Sequence, residues 1–362
     1  MKVVFRTDAS LQIGTGHVMR CLTLADALRE RGAECTFICR EHAGNLLALI
    51  EQREHNALAL TACSDLVDFA ANPAHAAWLG ASWEMDAKQT LQALGPLVVD
   101  WLVVDHYAVD CRWENAVRSR TKHLMVIDDL ADRPHDCELL LDQNLGRTAR
   151  DYRGLLRPDT ATLIGPRYAL LRPEFAKMRG ESLVRRAKPQ LQQLLITMGG
   201  VDKDNATGQV LDALKECALP QDLRITVVMG PRAPWLAQVK AQAGIMSRPT
   251  EVLVGVTNMA QLMAASDFAI GAAGGTAWER CCLGLPGLVL VLEQNQREGA
   301  VALQMAGAAV LLEACRQVSC VFGGWQPTLL QDSMLQMSRA SAAVTDGSGS
   351  VRVANQMLNS HV

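Results

Sequence analysis

The 362-residue chain carries almost no surplus charge: 35 Lys and Arg stand against 38 Asp and Glu, a formal net charge of −3. That balance excludes the basic field by which proteins attract nucleic acid or an anionic membrane surface, so no nucleic-acid partner is expected. No uninterrupted apolar run is long enough to span a bilayer, which argues against membrane insertion. Lys2, Arg6 and Asp8 interrupt the opening residues and leave no apolar core for a secretory signal. The 11 cysteines, Cys63 among them, are odd in number and include no CxxC pair. They read as reduced, buried thiols of a cytoplasmic protein rather than a disulfide frame or a zinc site. The six-residue GxGxxG dinucleotide spacing is absent, as is any acidic pair with obvious divalent-ion spacing, so neither metal nor cofactor is expected.

What is present is an apolar fraction of 49%, enough for substantial cores, in a length that suggests two domains. Strand-like runs at 2–6, 35–39, 101–105, 124–128 and 139–142 alternate with helix-period segments such as 17–31. This βαβ grammar argues for a parallel sheet covered on both faces, with Asp8, Asp105 and Asp128 along its C-terminal edge. The pattern lapses across Gly165-Pro166-Arg167-Tyr168 and Leu171-Arg172-Pro173-Glu174, and a charged stretch follows through Arg185, Arg186 and Lys188. A second series then runs through 194–197, 223–229, 251–256, 268–270 and 288–292. The expected architecture is α/β, with two Rossmann-like doubly wound domains at 1–165 and 190–345 facing a cleft. A linker at 166–189 and a closing amphipathic helix within 346–362 complete the expectation.

Two constellations carry chemistry. In the first, a strand breaks into Ile13-Gly14-Thr15-Gly16-His17, where glycines permit close approach to a ligand and a helix start offers unpaired N–H groups. His17 is either a structural residue at that start or a proton acceptor, and its place at the strand edge beside Asp8, Ser10 and Thr15 favours the second. Asp105-His106-Tyr107 and Asp128-Asp129 close two further strands; each carboxylate is more readily a cap or turn former than a proton-transfer group. Asp86 and Gln89, on a helix-period segment, are either exposed or sugar contacts.

The second constellation is Gly271-Ala272-Ala273-Gly274-Gly275-Thr276-Ala277-Trp278-Glu279, after the run at 268–270. Its small residues let a phosphate lie against the backbone, and Glu279 either accepts from two ribose hydroxyls or complements the helix dipole. Met198-Gly199-Gly200 approaches a diphosphate or is a plain tight turn. Val256-Thr257-Asn258-Met259 reads a flat base or caps a helix, and Asn295 and Gln296 hydrogen-bond sugar or phosphate or cap another.

These segments, with Arg6-Thr7-Asp8-Ala9-Ser10, Trp78-Leu79-Gly80, residues 86–90, Asp128-Asp129-Leu130-Ala131-Asp132-Arg133 and residues 165–175, resemble one family over nearly the whole chain. It is the nucleotide-sugar hydrolases of pseudaminic acid biosynthesis, which cleave UDP-2,4-diacetamido-2,4,6-trideoxy-β-L-altropyranose. The resemblance implies a GT-B fold, related to the glycosyltransferase that makes lipid II, with UDP held mostly by the second domain. It implies His17 as catalytic base, Glu279 on the ribose, and Gly274, Gly275 and Thr276 at the diphosphate. Val256, Asn258 and Met259 would then hold uracil, and Asn295 and Gln296 would lie near sugar and phosphates. Asp8, Gly14, Gly16, Asp105, Tyr107, Gly199 and Gly200 complete the expected substrate contacts. Gly275 departs from the serine expected in many relatives, so a backbone N–H would replace a hydroxyl contact.

The expectation is therefore an inverting, metal-independent hydrolysis at the anomeric carbon, giving UDP and the free sugar. The alternatives are a glycosyltransferase of the same fold, with His17 acting on an acceptor hydroxyl, and a non-catalytic nucleotide-sugar binder.

Overall fold

The structure, a computed structural model, describes residues 1–61, 73–324 and 327–359, without the side chains of 324 and 327–330. Cys63 and residues 360–362 of the expected closing segment lie outside the described residues. The ten described cysteines are all unpaired.

The chain divides into two compact units, Met1–Leu170 with Gly349–Val362, and Leu171–Ser348. In the first, strands β1 (Lys2–Thr7), β2 (Glu34–Arg40), β3 (Asn56–Leu60), β4 (Val99–Asp105), β5 (Thr121–Ile127), β6 (Leu139–Asp142) and β7 (Ala161–Ile164) form one sheet. Their order is β3-β2-β1-β4-β5-β6-β7, with every neighbouring pair parallel. The central strands are apolar on both faces, as a parallel sheet covered twice requires. Val3 and Phe5 join Phe37, Trp101, Val103 and Met125 on one face, and Val4 joins Ile38, Leu102, Val104 and Leu124 on the other. Helices Gly16–Arg29 and Gly349–Asn359 cover the first face through Leu24, Leu28, Val353 and Met357. Helices Trp83–Leu94 and Cys111–Val117 cover the second through Ala87, Trp113 and Val117. Each large apolar side chain so buried contributes roughly 1.5–3 kcal/mol. Strand order reverses between β1 and β4, the point where loops diverge and leave a crevice at the C-terminal edge.

The second unit repeats this plan with β8 (Gln193–Thr197), β9 (Arg224–Met229), β10 (Thr250–Val254), β11 (Phe268–Ala272), β12 (Gly287–Leu290) and β13 (Val310–Leu312). They form one parallel sheet in the order β10-β9-β8-β11-β12-β13. Its reversal lies between β8 and β11.

The division differs from the expected linker at 166–189. Residues Pro166–Tyr168 form a 3-10 turn of the first unit, whereas Pro173–Arg186 is a helix of the second, with Pro173 in its first turn. Two of its arginines bond backbone carbonyls at the ends of other helices, while Arg185 pairs with Asp267. Arg179 donates to the carbonyls of Ala342 and Thr345, and Arg186 to those of Met263 and Ser266. The closing helix belongs to the first unit: Trp101 Nε1 donates to the Met357 carbonyl, and a Cβ on Gly349 would stand 2.2 Å from the Ala169 oxygen.

Candidate active site

In the first unit, β1 delivers Arg6 and Asp8 to the switch point and β4 delivers Asp105, in register with Thr7. The loop between β1 and its helix is pinned at both ends. Gly14 adopts φ +80° and closes a bridge with Ser10, whose hydroxyl accepts from the Gln12 and Ile13 amides. Gly16 begins the helix, with open space where a side chain would project. His17 follows, 8% exposed.

His17 Nδ1 lies 2.5 Å from Asp105 Oδ1. Burial pushes the Asp105 carboxyl upward, but the Arg20 guanidinium and His17 more than reverse this and hold it far below the usual carboxylate range. An ionised carboxylate only accepts, so the shared proton sits on Nδ1 and Nε2 is left as the basic nitrogen. Arg20, one helical turn on, donates to both Asp105 oxygens at 2.6 and 2.7 Å and to Asp129 Oδ2 at 2.6 Å. Tyr107 donates to the same Asp129 oxygen at 2.6 Å, and its ring meets His17 edge-on at 4.6 Å. Burial and the Asp129 charge raise the Tyr107 hydroxyl well above its ordinary range, so it remains a donor. Trp78 stacks on Tyr107 and His75 leans on both rings.

Asp8, Asp105 and Tyr107, expected as substrate contacts, are buried and bonded to protein partners. Asp8 is fully buried; its Oδ1 accepts from Arg6 and the Arg40 amide, and its Oδ2 faces His106 Nε2 at 3.3 Å and His42 Nε2 at 3.6 Å. His106 Nδ1 accepts from the Ala108 amide, which leaves the ring proton on the nitrogen facing Asp8. Asp86 is neither exposed nor placed for a sugar: it is fully buried and accepts from Arg6, Arg40 and Trp113 Nε1. Asp8 and Asp86 thus anchor Arg6 and Arg40 beneath the C-terminal ends of β1 and β2. Sequence reasoning missed Arg20, although its i+3 spacing from His17 puts both on one helix face.

The second unit places its expected residues along the C-terminal edge of its sheet, in the loops after β8, β10, β11 and β12. Gly199, at φ +88°, has open space around it, as does Gly275; Gly200 is exposed, with its carbonyl against Gly230. Gly274 lies against the Gln296 amide, 3.4 Å from where its Cβ would be, while Gln296 Oε1 accepts from the Leu292 amide. Thr276 begins the next helix, and its hydroxyl lies 3.4 Å from Arg280 Nη1. Arg280 is buried and donates to the Ala272 carbonyl, filling the space that a side chain on Gly271 would need. Asn258 precedes the helix Met259–Ala265 without a side-chain capping bond; Asn258 and Asn295 are exposed, Val256 and Met259 half-buried. Glu279 is half-buried, with Arg172 at 3.6 Å. Burial raises its carboxyl to about 7 against the pull of Arg172 and Arg280. Among the described residues no group of three or more His, Cys, Asp and Glu side chains is arranged to hold a metal.

Residues 193–347 match the glycosyltransferase family 28 C-terminal domain. Known relatives extend the likeness into the first unit. An uncharacterized protein of Methanocaldococcus jannaschii is 27% identical over 304 residues, covering 82% of this chain and 57% of that protein. The chain thus spans little more than half of the archaeal relative. The UDP-2,4-diacetamido-2,4,6-trideoxy-beta-L-altropyranose hydrolase of Campylobacter jejuni is 25% identical over 310 residues, covering 86% of this chain and 98% of that enzyme. Among solved structures, Acinetobacter baumannii MurG superposes with a TM-score of 0.67 at 16% identity, covering 99% of each chain. Staphylococcus aureus MnaA, solved with UDP, gives 0.62 at 14% identity over 99% of this chain and 97% of that one. The fold is GT-B. Its two parallel-sheet α/β domains carry a relationship to enzymes of nucleotide-sugar metabolism. No described helix is long and apolar enough to cross a membrane.

Proposed function

We propose that this chain hydrolyses a UDP-sugar at the anomeric carbon, with UDP-2,4-diacetamido-2,4,6-trideoxy-β-L-altropyranose as substrate and His17 as general base. The observation that carries the reading is the His17–Asp105 pair: a buried carboxylate fixes the tautomer and leaves Nε2 to take a proton. Water attacks C1 on the face opposite the nucleotide as the bond from C1 to the diphosphate oxygen breaks. Nε2 receives the water proton, and UDP leaves with the bonding pair. The open backbone at Gly199 and Gly275, with Thr276, receives the diphosphate, and Glu279 accepts from the ribose hydroxyls. Likeness to the Campylobacter hydrolase over nearly its full length supports water as the acceptor.

A second reading, transfer of the sugar to an acceptor hydroxyl by the same base, is favoured by the family 28 match and by the likeness to MurG. Incubation with the UDP-diacetamido sugar in isotopically labelled water, without acceptor, separates the two. Hydrolysis releases UDP and places the label at C1 of an inverted sugar. Turnover seen solely when an acceptor alcohol is added establishes transfer and overturns the hydrolase.

A further inference from the structure

The loops after β8 and β12 carry a lysine and a glutamate that the reaction above leaves without a part. Lys203 Nζ lies 2.7 Å from Glu293 Oε1, with the side chains 59% and 53% exposed. β8 and β12 are not neighbours, because β11 lies between them. The ion pair therefore links loops on either side of β11, the strand that ends in the turn bearing Gly274 and Gly275. Contact of the Gln296 amide with Gly274 shows that the β12 loop reaches this turn. The backbone at the lysine is held in place: its carbonyl accepts from Trp235 Nε1 at 2.8 Å, and the preceding Asp202 accepts from the Ala206 and Thr207 amides. The exposed stem, in contrast, can swing. Water screens an exposed Lys–Glu pair, and ordering two long side chains costs rotamer entropy, so such a pair is readily exchanged. A diphosphate brings more negative charge and more acceptor oxygens than one carboxylate.

We infer that Lys203 is a diphosphate-binding cation of the second unit and that Glu293 is its resting partner, given up when a nucleoside diphosphate binds. The inference rests on the UDP reading above. Glu293 keeps the ammonium beside the glycine turn in the ligand-free chain and competes with phosphate for it. Removing the two side chains must therefore shift diphosphate affinity in opposite directions, while a nucleoside lacking phosphate feels neither change.

Calorimetric titration of the full chain with UDP and with uridine tests this in the wild type, Lys203→Met, Glu293→Gln and the double variant. Lys203→Met should weaken UDP about tenfold and flatten its salt dependence, with uridine unchanged. Glu293→Gln should tighten UDP severalfold, and the double variant should match Lys203→Met. UDP affinity untouched by Lys203→Met, an equal loss of uridine, or unchanged or weaker UDP binding by Glu293→Gln overturns the exchange while leaving the nucleotide site standing. A wild type that binds neither ligand overturns both.

Discussion

At the β1/β4 edge of the first unit the side chains are charged, buried and bonded to one another, with His17, Arg20, Asp105, Asp129 and Tyr107 in a continuous network. At the β8/β11 edge of the second unit the chain instead ends in glycines, with open space at Gly199 and Gly275. Equivalent positions of one topology are thus built in two ways. The first edge uses its side chains to fix one imidazole, as the proposed proton transfer requires; the second leaves its backbone open where the proposed ligand would lie.

The contrast breaks most sharply at His17. Replacing it with Asn should lower UDP-sugar turnover by about 10²- to 10⁴-fold, the usual worth of a positioned general base, while UDP affinity measured by calorimetry stays unchanged. Turnover retained by this variant would remove the base from the first edge. The foundation below it should be nearly as sensitive. Asp86→Ala leaves Arg6 and Arg40 short of a buried partner and should cost about 3–5 kcal/mol in denaturant unfolding, with loss of the first unit's tertiary signal.

At the second edge the expected effects are smaller and fall on binding. Glu279→Gln should weaken UDP and uridine together by about tenfold, through loss of charge-assisted bonds to the ribose. The wild-type carboxyl, raised to about 7 by burial, must ionise to accept two hydroxyls. UDP affinity should therefore rise as pH climbs toward 7, with proton release on binding below that pH. Calorimetry in buffers of different ionisation enthalpy measures both.

A pH-dependent effect on stability, separate from binding and turnover, sharpens the first edge. Tyr152 has one hydroxyl hydrogen but lies 3.0 Å from Asp128 Oδ2 and 2.9 Å from Asp142 Oδ2, so a second proton is needed. Burial raises Asp128, but Arg133 brings it down to about 2, whereas burial and the Asp129 charge raise Asp142 from 3.8 to about 7. A folded value above the unfolded one means that the Asp142 contribution is fully present below about pH 4 and is lost as pH rises through 7. Stability of the wild type relative to Asp142→Asn should fall across that window in paired unfolding curves; parallel curves would place the proton elsewhere.

The central strands were legible because their residues are apolar on both faces, and the residues after β1, β4, β8 and β11 were legible because strand ends break into Asp, Gly and His. β3, β7 and β13 were not, since short edge strands such as Asn56–Leu60 are largely exposed and give no continuous apolar run. The helix Pro173–Arg186 hid behind arginines whose carbonyl partners lie some 80 to 160 residues away in sequence. Asp86 was misread for the same reason: its helix announces an amphipathic surface, and only the arrival of Arg6 and Arg40 from β1 and β2 makes its carboxylate a buried anchor.

The return of Gly349–Asn359 to the sheet that begins at Lys2 bears on how the molecule is made. The second unit is one unbroken stretch, Leu171–Ser348, and can close as soon as it leaves the ribosome. The first unit waits, with the sheet face around Trp101 uncovered, until the last helix is synthesised. During translation the second unit is thus complete before the first, and a chain interrupted at residue 348 would keep the second unit while exposing the core of the first.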